Sequence, residues 1–271
     1  MIFPPSWHLA RAPFESAADA AFFYPSADHS EALARLEYLA REGGTQLGLL
    51  TGEIGCGKSL TRGVFAARSA NQRRVAEITS SHYPFADLLR DALLQLGAGE
   101  LPAGASEHDL VVRLRRLLAA REAPVVLLFD EAQELDHAAL VGLRALANLD
   151  DGRPELKLVL VGQPELRQKV LALPQLDQRA GLRFHLRALP TTETGDYLAF
   201  RLRAAGHPDG RLFAREAVDG LAAASHGVPR EINRLARLAM ALAARRGAND
   251  VGAADVDAVV ADLERQRGVS G

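Results

Sequence analysis

The sequence predicts a three-layer α/β sandwich followed by a helical domain. Three observations carry this. Short, continuous apolar runs alternate with amphipathic segments through the first two thirds of the chain. A glycine-rich turn, Gly52–Ser59, joins the first of these runs to a helical stretch. After Pro190 the pattern changes, and only segments of helical period remain. Composition agrees: 48% of the 271 residues are hydrophobic and 24% charged, enough apolar surface to build a core.

The elements follow in order. Residues 46–51 (QLGLLT) read as a buried strand, and a helix runs from the glycine-rich turn to about Ser69. Residues 74–79 (RVAEIT) are a second strand. A helix over 84–96 follows, with Pro84 suited to a first turn. Residues 97–105 form a loop. A helix over 107–121 sets Leu110, Leu114, Leu117 and Leu118 on one face. Residues 125–130 (VVLLFD) give the strongest strand signal. A helix over 136–149 leads to a turn at 150–154 and a fourth strand at 157–162, with a short fifth strand at 183–186. Unbroken apolar strands separated by helices imply a parallel sheet with both faces covered and right-handed crossovers. In the last third, Ile232, Leu235, Leu238 and Leu242 form a helical stripe. The expected domains are 1–189 and 190–267, with the boundary near 188–191.

Charge and cysteine content narrow the function classes. Thirty-two basic and 34 acidic residues leave a net charge of −2, so no whole-molecule field draws the chain to nucleic acid or membrane. The single cysteine, Cys56, excludes an intramolecular disulfide framework. No stretch free of Asp, Glu, Lys and Arg exceeds ten residues, so no membrane span is expected, and the N-terminus lacks a basic leader. A cytoplasmic location is the expectation. Only three of the basic residues are lysines, and one of them is Lys58.

Gly52-Glu53-Ile54-Gly55-Cys56-Gly57-Lys58-Ser59 fits G-x-x-x-x-G-K-[ST] in full. Glycines let the backbone turn its N–H groups inward, which makes an anion cradle at a helix N-terminus. Lys58 is expected on the β- and γ-phosphates of a nucleotide, and the Ser59 hydroxyl on Mg²⁺. The cradle is expected to include every residue of the motif and Leu60 after it. Cys56 is read as a small space-filling residue, with a reactive thiol as the alternative. At the end of the third strand, Asp130 and Glu131 are adjacent. Asp130 is expected as the metal partner and Glu131 as the general base for ATP hydrolysis.

These residues, with L-V-L-V-G-Q-P-E-L and H-G-V-P-R-E-I-N-R-L further on, resemble the AAA+ ATPases. The branch they resemble holds the ExeA/GspA secretion-assembly ATPases and the TnsC-type transposition regulators. The opening P-F-E-S-A-A-D-A-A-F-F-Y-P-S-A-D-H-S-E-A-L-A-R-L is similar to the start of that branch. The resemblance implies a five-stranded sheet in the order 5-1-4-3-2 and a helical lid. It implies that Gln163 is a sensor near the attacking water or γ-phosphate, and that Arg230 is a lid sensor of the γ-phosphate. It places an arginine finger, acting on a neighbouring subunit, at Arg179, with Arg183 as the competing candidate. It places Tyr24 and His29 against the nucleotide base.

Two functions remain open at this point. One is an ATP-driven assembly switch forming rings or filaments, with a secretion component as partner. The other is a regulator of a transposase that binds DNA non-specifically through Arg230, Arg234, Arg237, Arg245 and Arg246. ExeA-like chains continue into a membrane span and a peptidoglycan-binding region. This sequence ends near the lid, which favours a layout nearer the transposition regulators.

Overall fold

The computed structural model describes residues 3–15, 19–41, 45–70, 74–79, 81–120, 124–149 and 156–269. Contacts group the chain into two compact units: 1–26 with 55–57 and 187–271, and 27–54 with 58–186.

The unit of 27–54 and 58–186 carries the sheet. Its strands are β1 (Leu47–Gly52), β2 (Arg74–Ile78), β3 (Val125–Phe129), β4 (Leu156–Gly162) and β5 (Ala180–Leu186). They pair in the order β2-β3-β4-β1-β5, all parallel, which is the expected 5-1-4-3-2 order read from the other edge. The three central strands are buried at every residue, so both faces are covered and the unbroken apolar runs are explained. The helices are α1 (Ala27–Arg41), α2 (Lys58–Ser69), α3 (Phe85–Gln95), α4 (Glu107–Ala119), α5 (His137–Leu146), α6 (Glu165–Leu171) and α7 (Pro174–Asp177). Phe85, Leu88, Leu89 and Leu93 of α3, with Leu110 and Leu114 of α4, pack on Ile78, Leu127 and Phe129 of the sheet.

Local chemistry fixes the helix ends. Ser106 and Asp109 form a reciprocal capping box at α4: the Asp109 N–H donates to Ser106 Oγ at 3.2 Å, and the Ser106 N–H to Asp109 Oδ2 at 3.0 Å. The Ser106 hydroxyl, which donates to Asp109 Oδ2 at 2.7 Å, and after it the Ser106 N–H hold the Asp109 carboxyl below the usual carboxylate range. Asp136 lies one residue outside α5 and accepts from the Ala139 N–H at 2.7 Å, so it is a cap rather than the first helical residue expected for it.

Besides the shorter α5 and the added short helices α6 and α7, two elements differ from the sequence expectation. β5 begins at Ala180, not Arg183, because it is an edge strand whose alternate residues face out and break the apolar run. α1 is an added element, with His29, Ala32, Leu33, Leu36, Leu39 and Ala40 buried on its inner face. That three-four spacing is visible in the sequence once the segment is treated as a helix. The turn expected at 150–154 lies outside the described residues.

Among its described residues the other unit is helical, apart from a single bridge between Phe213 and Val251. Its helices are α8 (Thr194–Ala204), α9 (Arg215–Ser225), α10 (Pro229–Arg245) and α11 (Ala253–Val269). Of the expected α10 stripe, Ile232 and Leu235 are buried, while Leu238 and Leu242 are partly buried against the same core. Arg201 is a buried charged residue of this unit, 4% exposed. Its guanidinium donates to the carbonyls of Pro13 and Glu15 at 2.8 and 3.0 Å and lies 4.4 Å from the Phe22 ring centroid. A buried charge is tolerated here because its donors meet carbonyl oxygens and an aromatic face. The N-terminal segment is thereby fastened to α8.

Candidate phosphate-loop and acid-pair site

In a parallel sheet every strand ends on the same edge, and ligands bind there. The order β3-β4-β1 therefore brings three expected features to one edge: the acid pair after β3, Gln163 after β4 and the glycine-rich turn after β1. Neighbouring strands lie about 4.8 Å apart, so Gln163 occupies the middle lane between the other two.

The turn is built from backbone. Gly52 is the last residue of β1, and a Cβ there would meet the Leu186 carbonyl oxygen at 2.4 Å, which only glycine avoids. Gly55 and Gly57 have φ of 88° and 98°, a region that L side chains rarely adopt. Cys56 between them is 1% exposed, a packed side chain. Lys58 opens α2 and is 6% exposed; its Nζ donates to the carbonyls of Gly52 at 2.6 Å and Glu53 at 2.9 Å. Ser59 is exposed on the first turn of α2, Leu60 is half-buried, and Ile54 is 56% exposed at the rim. A buried ammonium, glycine-permitted turns and a helix N-terminus suit a polyanion.

The acid pair is built from side chains. The Asp130 N–H donates to the Ile78 carbonyl at 2.8 Å, extending the β2–β3 pairing by one residue. Asp130 is 7% exposed. Its Oδ1 accepts from the Glu131 N–H at 3.0 Å, and its Oδ2 lies 3.3 Å from Arg62 Nε. Arg62 Nη1 lies 2.8 Å from Glu77 Oε2. Both contacts are charge attractions, since neither N–H is aligned as a hydrogen bond. Ser81 donates its hydroxyl to the Asp130 carbonyl. A serine hydroxyl and an aspartate among phosphate oxygens suit Mg²⁺, which takes few protein ligands and keeps several waters.

Glu131 has φ 48° and ψ 39°, left-handed for a non-glycine residue. Such a conformation costs of order 1 kcal/mol or more and persists only where the surroundings hold it. Its carboxylate is exposed, and Oε2 accepts from Gln133 Nε2 at 2.7 Å. The other end of that amide, Oε1, accepts from the Gln163 N–H at 3.0 Å. Gln163 itself is half-buried.

The remaining expected residues fall in separate places. Arg179 and Arg183 are both exposed. Arg179 donates to the amide oxygens of Gln46 and Asn148 at 3.2 and 2.8 Å, whereas Arg183 is ion-paired with Asp177 at 2.7 Å. His29 is buried in α1. Tyr24, in the helical unit, packs edge-on against Tyr197 and Phe200, each at 5.6 Å between centroids. Burial, reinforced by Glu193 and Asp196, pushes its phenol pKa up. In the same unit the Arg230 N–H donates to the Gly55 carbonyl at 3.2 Å, giving one of the otherwise unpaired N–H groups of α10 a partner. Of the arginines proposed for nucleic acid, Arg234 lies 3.6 Å from Glu231, and Arg246 is ion-paired with Asp255 at 2.6 Å.

Residues 41–170 match the family model described as an AAA domain. Over 257 residues, 92% of the chain, the sequence is 35% identical to general secretion pathway protein A of Aeromonas hydrophila. The chain belongs to the AAA+ family. It spans about half, 46%, of the length of that curated relative. Among solved structures, this AAA+ chain resembles Cdc6p from Pyrobaculum aerophilum with a TM-score of 0.69 at 18% identity, over 86% of this chain and 68% of that one. It resembles the Aeropyrum pernix ORC1 protein, solved in complex with DNA, with a TM-score of 0.71 at 18% identity, over 94% and 69%. The Thermotoga maritima RuvB Holliday junction branch migration motor gives 0.58 at 18% identity, over 90% and 73%. At such identities these likenesses speak for the fold. No helix among the described residues is long and apolar enough to cross a membrane.

Sequence reasoning passed over Arg62, Gln133 and Lys169. Gln133 stands two residues after Glu131, but only its contacts give it a role. Lys169 donates to the carbonyls of Gln133 and Leu135, the latter at 3.0 Å, and so holds the turn that follows Glu131. Its rarity as a lysine was the one signal available: Lys58, Lys157 and Lys169 all donate to main-chain carbonyls. A compact ammonium serves converging carbonyls better than the planar fork of an arginine.

Proposed function

We propose that this AAA+ chain binds ATP with Mg²⁺ and hydrolyses it, and that the hydrolysis drives an assembly switch. The observation that carries the reading is the shared sheet edge, with the Lys58 loop after β1, Gln163 after β4 and the Asp130–Glu131 pair after β3.

The main-chain N–H groups of Gly52–Leu60 cradle the phosphates, and Lys58 leaves the Gly52 and Glu53 carbonyls for the β- and γ-phosphate oxygens. Ser59 and Asp130 hold the Mg²⁺, which when bound supplies charge neutralisation at those oxygens. Glu131 takes the proton from the attacking water as its oxygen bonds to the γ-phosphorus. The bond from that phosphorus to the β-bridging oxygen breaks, giving ADP and phosphate. Gln163 orients the water or the γ-phosphate, Arg230 responds to the γ-phosphate from the lid, and Tyr24 and His29 contact the base. The finger acting on a neighbouring subunit is Arg179 or Arg183. Arg179 gives up two neutral partners on leaving, Arg183 an ion pair, so Arg179 is the cheaper to release. Self-association into a ring or filament follows from a finger supplied in trans, with a secretion component or a transposase as the further partner.

The test is phosphate release by the wild type and by Glu131→Gln, with sizing in ADP and in a non-hydrolysable ATP analogue, each with and without duplex DNA. The expected result is a turnover lower by about 10²–10⁴-fold in Glu131→Gln with ATP binding kept, and an ATP-dependent rise in mass. Equal turnover in the two proteins removes Glu131 from the base role. A single mass in all conditions rejects the assembly switch, and mass growth only with DNA selects the transposase reading.

A further inference from the structure

We infer that Gln133 is a positioning residue that holds the Glu131 carboxylate and ties it to the end of β4. This rests on the proposed ATPase reading, in which Glu131 is the base.

A primary amide has one acceptor end and one donor end, and which is which follows from the groups it meets. The Gln163 main chain presents an N–H, which only an oxygen can accept, so Oε1 faces β4 at 3.0 Å. Nε2 therefore faces Glu131 and donates to Oε2 at 2.7 Å. The assignment is not free to reverse, because a flipped amide would set N–H against N–H at one end and oxygen against carboxylate at the other. The carboxylate thus meets a fixed donor whose direction is set from the neighbouring strand.

Three further features hold that donor and its acceptor in place. Lys169 Nζ donates to the Gln133 carbonyl and to the Leu135 carbonyl, fixing the turn on both sides of the side chain. Gly162 leaves the space the amide needs: a Cβ there would meet Gln133 Oε1 at 2.6 Å. Glu131 is left-handed at φ 48°, so its backbone is committed and the far end of its side chain is steered by its hydrogen-bond partner. The relay is Gln163 N–H to Gln133 amide to Glu131 carboxylate. Any shift at the end of β4, where Gln163 is proposed to meet the γ-phosphate, moves the base with it.

Two variants separate the ends of the relay. Gln133→Glu keeps an oxygen for the Gln163 N–H but replaces the donor facing Glu131 by a second carboxylate. Gln133→Leu removes both ends with a similar volume. The measurements are kcat and KM for ATP, the Kd of a fluorescent ATP analogue, and kcat from pH 6 to pH 8.5, on proteins whose thermal melts match wild type. The expected result is a kcat lower by about 10- to 100-fold in both variants, with Kd within twofold of wild type. In Gln133→Glu the ratio of its kcat to that of wild type rises as pH falls, because the introduced carboxyl group, raised by its neighbour, regains a proton to donate. In Gln133→Leu the same ratio stays flat. A residue that served only packing would give flat ratios in both.

Wild-type kcat in Gln133→Glu, or a flat ratio in that variant, overturns the inference. So does a higher kcat, which would make Gln133 a brake. If Gln133→Leu does not fold, Gln133→Glu decides alone. Absence of ATP hydrolysis in the wild type, or undiminished hydrolysis in Glu131→Gln, sinks the ATPase reading and this relay together. An active wild type, an inactive Glu131→Gln and an unaffected Gln133→Glu sink the relay only.

Discussion

The glycine-rich turn after β1 and the acid pair after β3 stand on one edge of the sheet, yet they are held by opposite means. The turn is held by its own backbone. Gly52 fits against the Leu186 carbonyl, Gly55 and Gly57 take left-handed conformations, and Lys58 bonds carbonyls five and six residues before it. The acid pair is held by side chains arriving from elsewhere: Arg62 of α2, Ser81 after β2, Gln133 of the following turn, and through it the Gln163 N–H just after β4. A backbone-built site demands particular residues at fixed spacing. A side-chain-built site demands only that suitable groups converge, and several sets of residues can meet that demand.

The largest effect that would break this comparison is at Lys58. Lys58→Ala leaves the carbonyls of Gly52 and Glu53 without this donor and removes the cation from the proposed phosphate cradle. Nucleotide affinity is expected to fall by about 100-fold or more, the scale for losing one partner of a buried charged contact, and turnover to background. Isothermal titration with ADP and with an ATP analogue checks this. Binding within threefold of wild type would mean that the loop does not grip phosphate through this side chain.

That difference also explains what the sequence revealed. The Lys58 loop is legible because glycine geometry and a helix N-terminus must be written locally, and β1, β3 and β4 because strands buried on both faces need unbroken apolar residues. The Arg62–Asp130 contact joins residues far apart in sequence, and nothing in the spacing of either suggests the other. β5 reads short from the sequence because an edge strand is apolar only on alternate residues. α1 carries a helical period of its own, but the segment's resemblance to the opening of a family does not by itself mark that period as a helix. The sheet order came with that resemblance, since periodicity identifies strands but does not arrange them.

The second effect is smaller and concerns Gly52. Its Cβ would fall 2.4 Å from the Leu186 carbonyl oxygen, a backbone atom of the paired strand β5 that has no rotamer with which to move away. Gly52→Ala is expected to cost about 1–3 kcal/mol and, because the turn must shift, to weaken nucleotide binding as well. Thermal unfolding should show a midpoint lower by roughly 3–10 °C. An unchanged midpoint with unchanged binding would show that the junction of β1 and the turn has slack, and the backbone-built half of the comparison would fail.

The smallest effect is at the matching glycine on the other side. Gly162 ends β4 as Gly52 ends β1, and the nearest atom to its Cβ would be Gln133 Oε1 at 2.6 Å, followed by Gln133 N and Leu166 Cδ2 at 3.2 Å. The first of these is the tip of a side chain and swings away at little cost; the others must yield by a few tenths of an ångström. Gly162→Ala is therefore expected to change stability by about 1 kcal/mol or less and to leave nucleotide affinity intact. Its effect falls instead on turnover, by several-fold, because the displaced amide no longer aims its donor at Glu131. The two glycine variants then divide their damage differently: Gly52→Ala loses stability and binding, Gly162→Ala loses kcat. Equal losses of stability in both would mean that the β4 end is as rigid as the β1 end. An unaltered kcat in Gly162→Ala would mean that the acid pair does not depend on where Gln133 points.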